Sequence, residues 1–306
     1  MSNFNRGISN PDFIAVLNEE YKSGGWWRQI VDDRDLFIAI RNEYINVYYK
    51  GNSLFKISYN GNLVAETHYK YLVRPDAEPF LVKASNGTSF AYDANQYAIR
   101  DLNEIDSIKK ASSVYSGIEK EGIQKIIQSN DNIIDLEIAL TNEALRDEME
   151  PDTEKKRSTA KRIDFAALQK KDELYEVVFF EAKHFSNKEL RAQEKAKVLE
   201  QIDTYKELLS QYKDKIIGSY KRVCRNFSEI LPDSRCAQDI VDIAQGKPLN
   251  VDLQPRLVVF GFDGDQQNGA YWEKHKTKLM EGVGTQNFLA KGDPSEFTNG
   301  IAKPKK

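Results

Sequence analysis

The sequence predicts an α+β protein of two domains, an antiparallel β-rich one over residues 1–105 and a mixed helix and strand one over residues 106–306. Three observations carry this. Four short apolar segments lie between Leu36 and Tyr69, separated by the turn formers KGNS and NGN. After the polar stretch Asp101 to Ser113 the pattern changes to helices alternating with strands. The 306 residues, 40% hydrophobic and 30% charged, suffice to bury a sizeable core.

In chain order, Leu36 to Arg41, Ile45 to Tyr49, Leu54 to Tyr59 and Leu63 to Tyr69 read as an antiparallel meander. Trp26, Trp27, Phe37 and the tyrosines supply one packed face, and Arg41, Lys50, Lys56 and Lys70 suit a polar one. No acid pair at metal spacing occurs there. The block is therefore expected to recognise substrate or to form an oligomer, and a fragment beginning near Ala111 is expected to fold without it. Asp101 to Ser113 reads as the linker.

Beyond the linker, Val114 to Ser129 reads as a helix, and Ile133 to Leu140, Arg162 to Leu168 and Leu174 to Lys183 as strands. A long helix follows from about Lys188 to Tyr220, then a second helical region to about Ala244. Arg256 to Phe262 suits a buried strand and Tyr271 to Met280 a helix. Glu143 to Glu154, with six acids, reads as a solvated loop.

Composition excludes several classes. Mean hydropathy is −0.61, and no apolar string approaches the roughly 20 residues of a membrane span. The N-terminus lacks the apolar core of a secretion signal, and Cys224 and Cys236 make neither a CxxC pair nor a zinc quartet. A reducing cytoplasm fits best. The net charge of −3 hides a basic stretch, Lys183 to Arg225, with 11 Lys and Arg against 6 Asp and Glu. Such a run is either a solvated helix face or a surface that tracks phosphates.

The chemistry concentrates around Glu181-Ala182-Lys183, at the end of YEVVFFEAK. Strand alternation places Glu181 and Lys183 on one face and Ala182 on the other. Asp164, 17 residues earlier on a preceding strand, can meet Glu181 through a hairpin. Two carboxylates suit Mg²⁺, which leaves its other positions to water and substrate phosphate. A lysine beside them neutralises charge on the phosphate. A cross-strand salt bridge is the alternative.

On a helical wheel Glu119 projects into the stripe formed by Tyr115, Ile123, Ile126 and Ile127, whereas Glu121 faces away. A carboxylate there is costly unless paired or metal-bound. Glu137, in NIIDLEIAL, competes for that role. Gln201 and Tyr205 lie one turn apart on the long helix. His184 reads as a polar strand end, His68 and His275 have no partner at ligand spacing, and Asp263 with Asp265 reads as a loop.

Glu119, Asp164, Glu181-x-Lys183 and Gln201-xxx-Tyr205 together resemble the PD-(D/E)XK nuclease superfamily, near its RecB-like branch. The resemblance spans about Ser113 to Asp263, with Ile163 in the place of the motif's proline. It implies a restriction-endonuclease-like αβββαβ core and a Mg²⁺-dependent phosphodiesterase, with Mn²⁺ as substitute, acting on DNA in preference to RNA. It also implies metal ligation by Asp164 and Glu181, Lys183 as catalytic lysine and Glu119 as a supporting acid. Gln201 and Tyr205 would then orient the site or touch the nucleic-acid backbone. Restriction, repair or defence would use such an activity, alone or as a homo-oligomer. A catalytically silent nucleic-acid-binding or regulatory module on the same fold is the alternative, and an ordinary interaction protein a further one.

Overall fold

The computed structural model describes residues 4–77, 82–83, 87, 90–91, 94–140, 162–191 and 194–298. The acidic loop expected at 143–154 lies outside them. Two helices that the strand pattern did not announce come first, α1 (Pro11–Ser23) and α2 (Trp26–Asp32). The Asn10 side chain accepts from the Asp12 N–H, Pro11 occupies the first turn, and Gly24 ends α1 at φ 79°. These are the ordinary start and stop signals of a helix.

The expected meander follows as β1 (Phe37–Ile40), β2 (Tyr44–Tyr49), β3 (Asn52–Tyr59) and β4 (Leu63–Glu66), a four-stranded antiparallel sheet in that order. A short pair, β5 (Val82–Lys83) and β6 (Phe90–Ala91), and the single turn α3 (Ala94–Tyr97) come next. Residues 101–113 are not a linker. They form a 3₁₀ turn and α4 (Ile105–Ser113), because Ile105, Ile108, Ala111 and Ser112 recur at helical spacing and are buried.

Helix α5 (Ile118–Gln128) leads to the second sheet, built from β7 (Ile133–Ala139), β8 (Arg162–Lys171), β9 (Leu174–His184), β10 (Leu249–Val251), β11 (Arg256–Phe260) and β12 (Phe288–Lys291). Its path runs β12-β11-β9-β8-β7, with β10 also on β9. The β7–β8 and β8–β9 pairs are antiparallel, and the pairs that β11 makes with β9 and β12 are parallel. Long helix α6 (Lys197–Ile230) covers one face, without the break expected near Tyr220. It begins later than expected, after a 3₁₀ turn at Lys188–Leu190. Helices α7 (Gln238–Ala244), α8 (Gly264–Asn268) and α9 (Ala270–Val283) complete the chain. Among the described residues no helix is long and apolar enough to cross a membrane.

The α+β expectation is met in this mixed architecture, but residues on both sides of position 105 share their cores. One cluster joins Phe13, Trp27, Ile45 and Phe55 to Ile134, Phe179, Tyr205 and Tyr220. Another joins Phe37, Ala39 and Tyr48 to Ile126, Phe165, Phe180 and Phe260. A buried ion cluster ties them further. Asp135 on β7 pairs with Arg41 and, at 3.3 Å, with Arg6, and accepts from the Tyr220 hydroxyl at 2.9 Å. All these charges are at most 1% exposed, so none has water as a substitute partner.

Candidate active site

Strands β8 and β9 run in a register that pairs Phe165 with Phe180 and Ala166 with Phe179. One step further, Asp164 stands opposite Glu181. Alternation separates the two faces: Phe165, Phe180 and Ala182 join the cluster containing Ile123 and Ile126 of α5, and Ala166 and Phe179 join the one containing Tyr205 of α6. Asp164, Glu181 and Lys183 therefore project toward α6, as the strand alternation required.

Glu181 is held by two side chains. Its Oε1 receives the Gln201 Nε2 at 2.8 Å and faces the Lys183 Nζ at 2.6 Å. Gln201 also donates to the Tyr205 hydroxyl at 2.7 Å, and that hydroxyl donates to the Arg162 carbonyl at 2.8 Å. The helical spacing of Gln201 and Tyr205 thus fastens α6 to two adjacent strands. Glu181 Oε2 is buried with no hydrogen-bond partner. Asp164 Oδ2 accepts from the Ala182 N–H at 2.7 Å, and Lys183 reaches Glu189 at 3.5 Å.

Burial, and then the charge of Glu181, holds the Asp164 carboxyl well above the usual carboxylate range. Burial also pushes Glu181 up to about 7, against the opposing pull of Lys183. For Lys183 burial alone would favour loss of the proton, but Glu181 and Asp164 override it and keep the ammonium charged. Two carboxylates and one ammonium share a site with little water, so one negative charge lacks a partner and is most cheaply cancelled by a proton.

Glu119 reaches the same strand end from the opposite face. Its Oε1 accepts from the His184 N–H at 3.0 Å and from Asn187 Nδ2 at 2.6 Å. Glu121 is exposed and faces Lys50 at 3.2 Å, so the helical phase follows the wheel. Tyr115 departs from it, since it precedes α5 and is 49% exposed. Gly122 permits the close approach of α5. A Cβ there would lie 2.1 Å from Phe260.

The structure therefore brings Glu181, Lys183, Gln201 and Tyr205 into one buried network beside the half-buried Asp164, with Glu119 at its rim. Glu137 lies between the pairs Leu136–Phe165 and Ile138–Ile163, opposite Asp164, and its charge contributes to raising the Asp164 pKa. Its φ of 49° is left-handed, an uncommon conformation for a glutamate. Glu119 and Glu137 are thus separate members of the surroundings, and neither replaces the other. Sequence reasoning missed Asn187 and Glu189. Asn187 had a local signal, since its side chain caps the 3₁₀ turn at the Glu189 N–H, but nothing in the spacing announced its bond to Glu119.

Among the described residues no group of three or more His, Cys, Asp or Glu is arranged to hold a metal ion. What the residues offer is the Asp164–Glu181 pair, its buried unpaired oxygen and its uncancelled charge. That donor set fits a hard cation which takes one or two carboxylates and fills its other positions with water and phosphate. No protein-family model, curated protein or solved structure matches the chain.

Proposed function

We propose that the protein is a divalent-metal-dependent nuclease of the PD-(D/E)XK type, hydrolysing phosphodiester bonds, with DNA preferred over RNA. The observation that carries this reading is the pairing of half-buried Asp164 with buried Glu181 at a strand end, with Lys183 on the same face and Glu181 Oε2 unpaired. In it the β7–β9 hairpins, β11 and helices α5 and α6 form the nuclease core.

Asp164 and Glu181 would hold Mg²⁺ or Mn²⁺, whose chemistry is to lower the pKa of water and to neutralise charge on the phosphate. The remaining roles belong to the chain. Lys183 keeps its proton and presents a fixed positive charge to the scissile phosphate, where negative charge grows during attack. Gln201 and Tyr205 fix the rotamer of Glu181 and the spacing of β8 from α6. Glu119 fixes the strand end by engaging the His184 N–H and Asn187.

A silent nucleic-acid-binding module is the second reading, and the 2.6 Å Lys183–Glu181 ion pair favours it. Plasmid, linear DNA and RNA incubated with Mg²⁺, Mn²⁺ or EDTA separate the two. The nuclease reading expects metal-dependent cleavage that Asp164→Asn removes while the circular dichroism spectrum is kept. Binding without cleavage under every metal would leave the silent module.

A further inference from the structure

An open groove of about 1080 Å³ lies where Arg191 meets the first turns of α9. Its lining includes Arg191, Tyr271, Lys274, His275 and Lys278, with Glu273 as the acid, whose carboxylate faces Lys276 at 3.3 Å. Tyr271 is 67% exposed, with its ring edge-on to His275 at 5.0 Å, so a large aromatic face stands in solvent among cations. Arg191 does not dangle. Its guanidinium lies 4.7 Å from the centre of the Phe185 ring and 5.8 Å from that of Trp272, and it donates to the Asn187 carbonyl at 3.0 Å.

Asn187 is the residue whose side chain donates to Glu119, so the groove adjoins the rim of the candidate active site through one residue. Arg191 and Lys278 also lie close enough to His275 to add to the effect of burial in lowering its pKa, a mark of accumulated positive potential. An anion relieves such crowding. An enclosed pocket would suit a small metabolite, but an open, cationic groove with one exposed ring suits a polyanion that carries flat apolar groups.

We propose that this groove holds an unpaired stretch of a nucleic-acid strand, a base stacking on Tyr271 and its phosphates meeting Arg191, Lys274 and Lys278. The proposal rests on nucleic acid being the substrate, and it makes that substrate a strand with unpaired nucleotides beside the cut. A base inside an intact duplex is already stacked on both sides and offers Tyr271 no face. Separate contacts for phosphate and for base are the usual division of labour in strand binding.

The test is fluorescence anisotropy of the full chain with labelled single-stranded and fully paired oligonucleotides, in deoxy and ribo forms, with EDTA present so that nothing is cut. Tyr271→Ala is expected to weaken single-strand binding about fivefold or more and Tyr271→Phe to restore it, since stacking on one aromatic contributes on the order of 1–3 kcal/mol per base. Paired oligonucleotides should be unaffected by either. The double variant Lys274→Glu/Lys278→Glu should weaken binding and flatten its salt dependence. Binding by one sugar form alone supports the proposal and identifies the strand. Unchanged single-strand affinity in both Tyr271→Ala and the double variant would overturn it, as would a wild type that binds neither form. Because nothing is cut in this assay, a chain that binds through Tyr271 but never cleaves refutes the nuclease reading alone. Metal-dependent cleavage together with unaltered affinity in Tyr271→Ala refutes the groove alone.

Discussion

Asp164 and Glu181 stand opposite each other on antiparallel strands, and burial raises the proton affinity of both against the opposing pull of Lys183. Their folded-state carboxyls bind protons more tightly than they would in the unfolded chain. That contribution to stability is therefore complete at low pH and is lost as pH climbs from the ordinary glutamate value of 4.5 through about 7. In EDTA, the wild type should lose more resistance to urea between about pH 5 and about pH 8 than Glu181→Gln does. Equal pH slopes for the two would contradict the shared-proton description.

Mg²⁺ should displace that proton. Calorimetric titration in buffers of different ionisation enthalpy is expected to show proton release on binding, and an affinity that rises with pH up to about 7. Asp164→Asn should remove the binding heat, and an unchanged heat would place the ion elsewhere.

Glu119→Ala should reduce cleavage strongly, because the His184 N–H and Asn187 lose their acceptor at the strand end. Glu121→Ala, which removes only an exposed ion pair, should change stability by no more than about 1 kcal/mol and leave cleavage intact. The reverse order of effects would mean that α5 is rotated.

Gly122→Ala tests the position of the same helix without touching an acid. The added methyl meets Phe260 at 2.1 Å, so the variant should lose about 1–3 kcal/mol and displace Glu119 with its helix. Urea denaturation and cleavage rate should fall together; a stable, active variant would show that α5 has room to spare.

Asp135→Ala should cost about 3–5 kcal/mol, because it strands Arg6 and Arg41 in the interior. For the same reason a fragment beginning near Ala111 is expected to aggregate, the opposite of what the sequence suggested. A soluble fragment with a cooperative melting transition would restore the idea of an autonomous C-terminal domain.

Much of the site was legible because it depends on local periods. Strand alternation put Glu181 and Lys183 together, helical spacing put Gln201 beside Tyr205, and the wheel separated Glu119 from Glu121. The four-strand meander was likewise written in its turn residues. What escaped depends on contacts distant in sequence. Asp101 to Ser113 looks polar as a string, and only the burial of Ile105, Ile108 and Ala111 against partners elsewhere makes it a helix. The tie from Arg6 to Asp135 leaves no spacing signature, so the two halves looked separable. Helix α1 also escaped the reading, although Asn10-Pro11 and Gly24 supply its start and stop locally.

The N-terminal strap that carries Arg6 also lies along α6: the Arg6 N–H donates to Ser219, and Ile8 exchanges two bonds with Asn226. These partners are 213 and 218 residues apart. At roughly 5–20 residues per second, a ribosome needs about ten to forty seconds to make the second after the first. Through that interval Phe4 and Ile8 lack the α6 face they pack on, and the core they share with Tyr220 and Phe227 cannot close around them. The strap is thus seated only after α6 has been made, so this seam of the fold closes late.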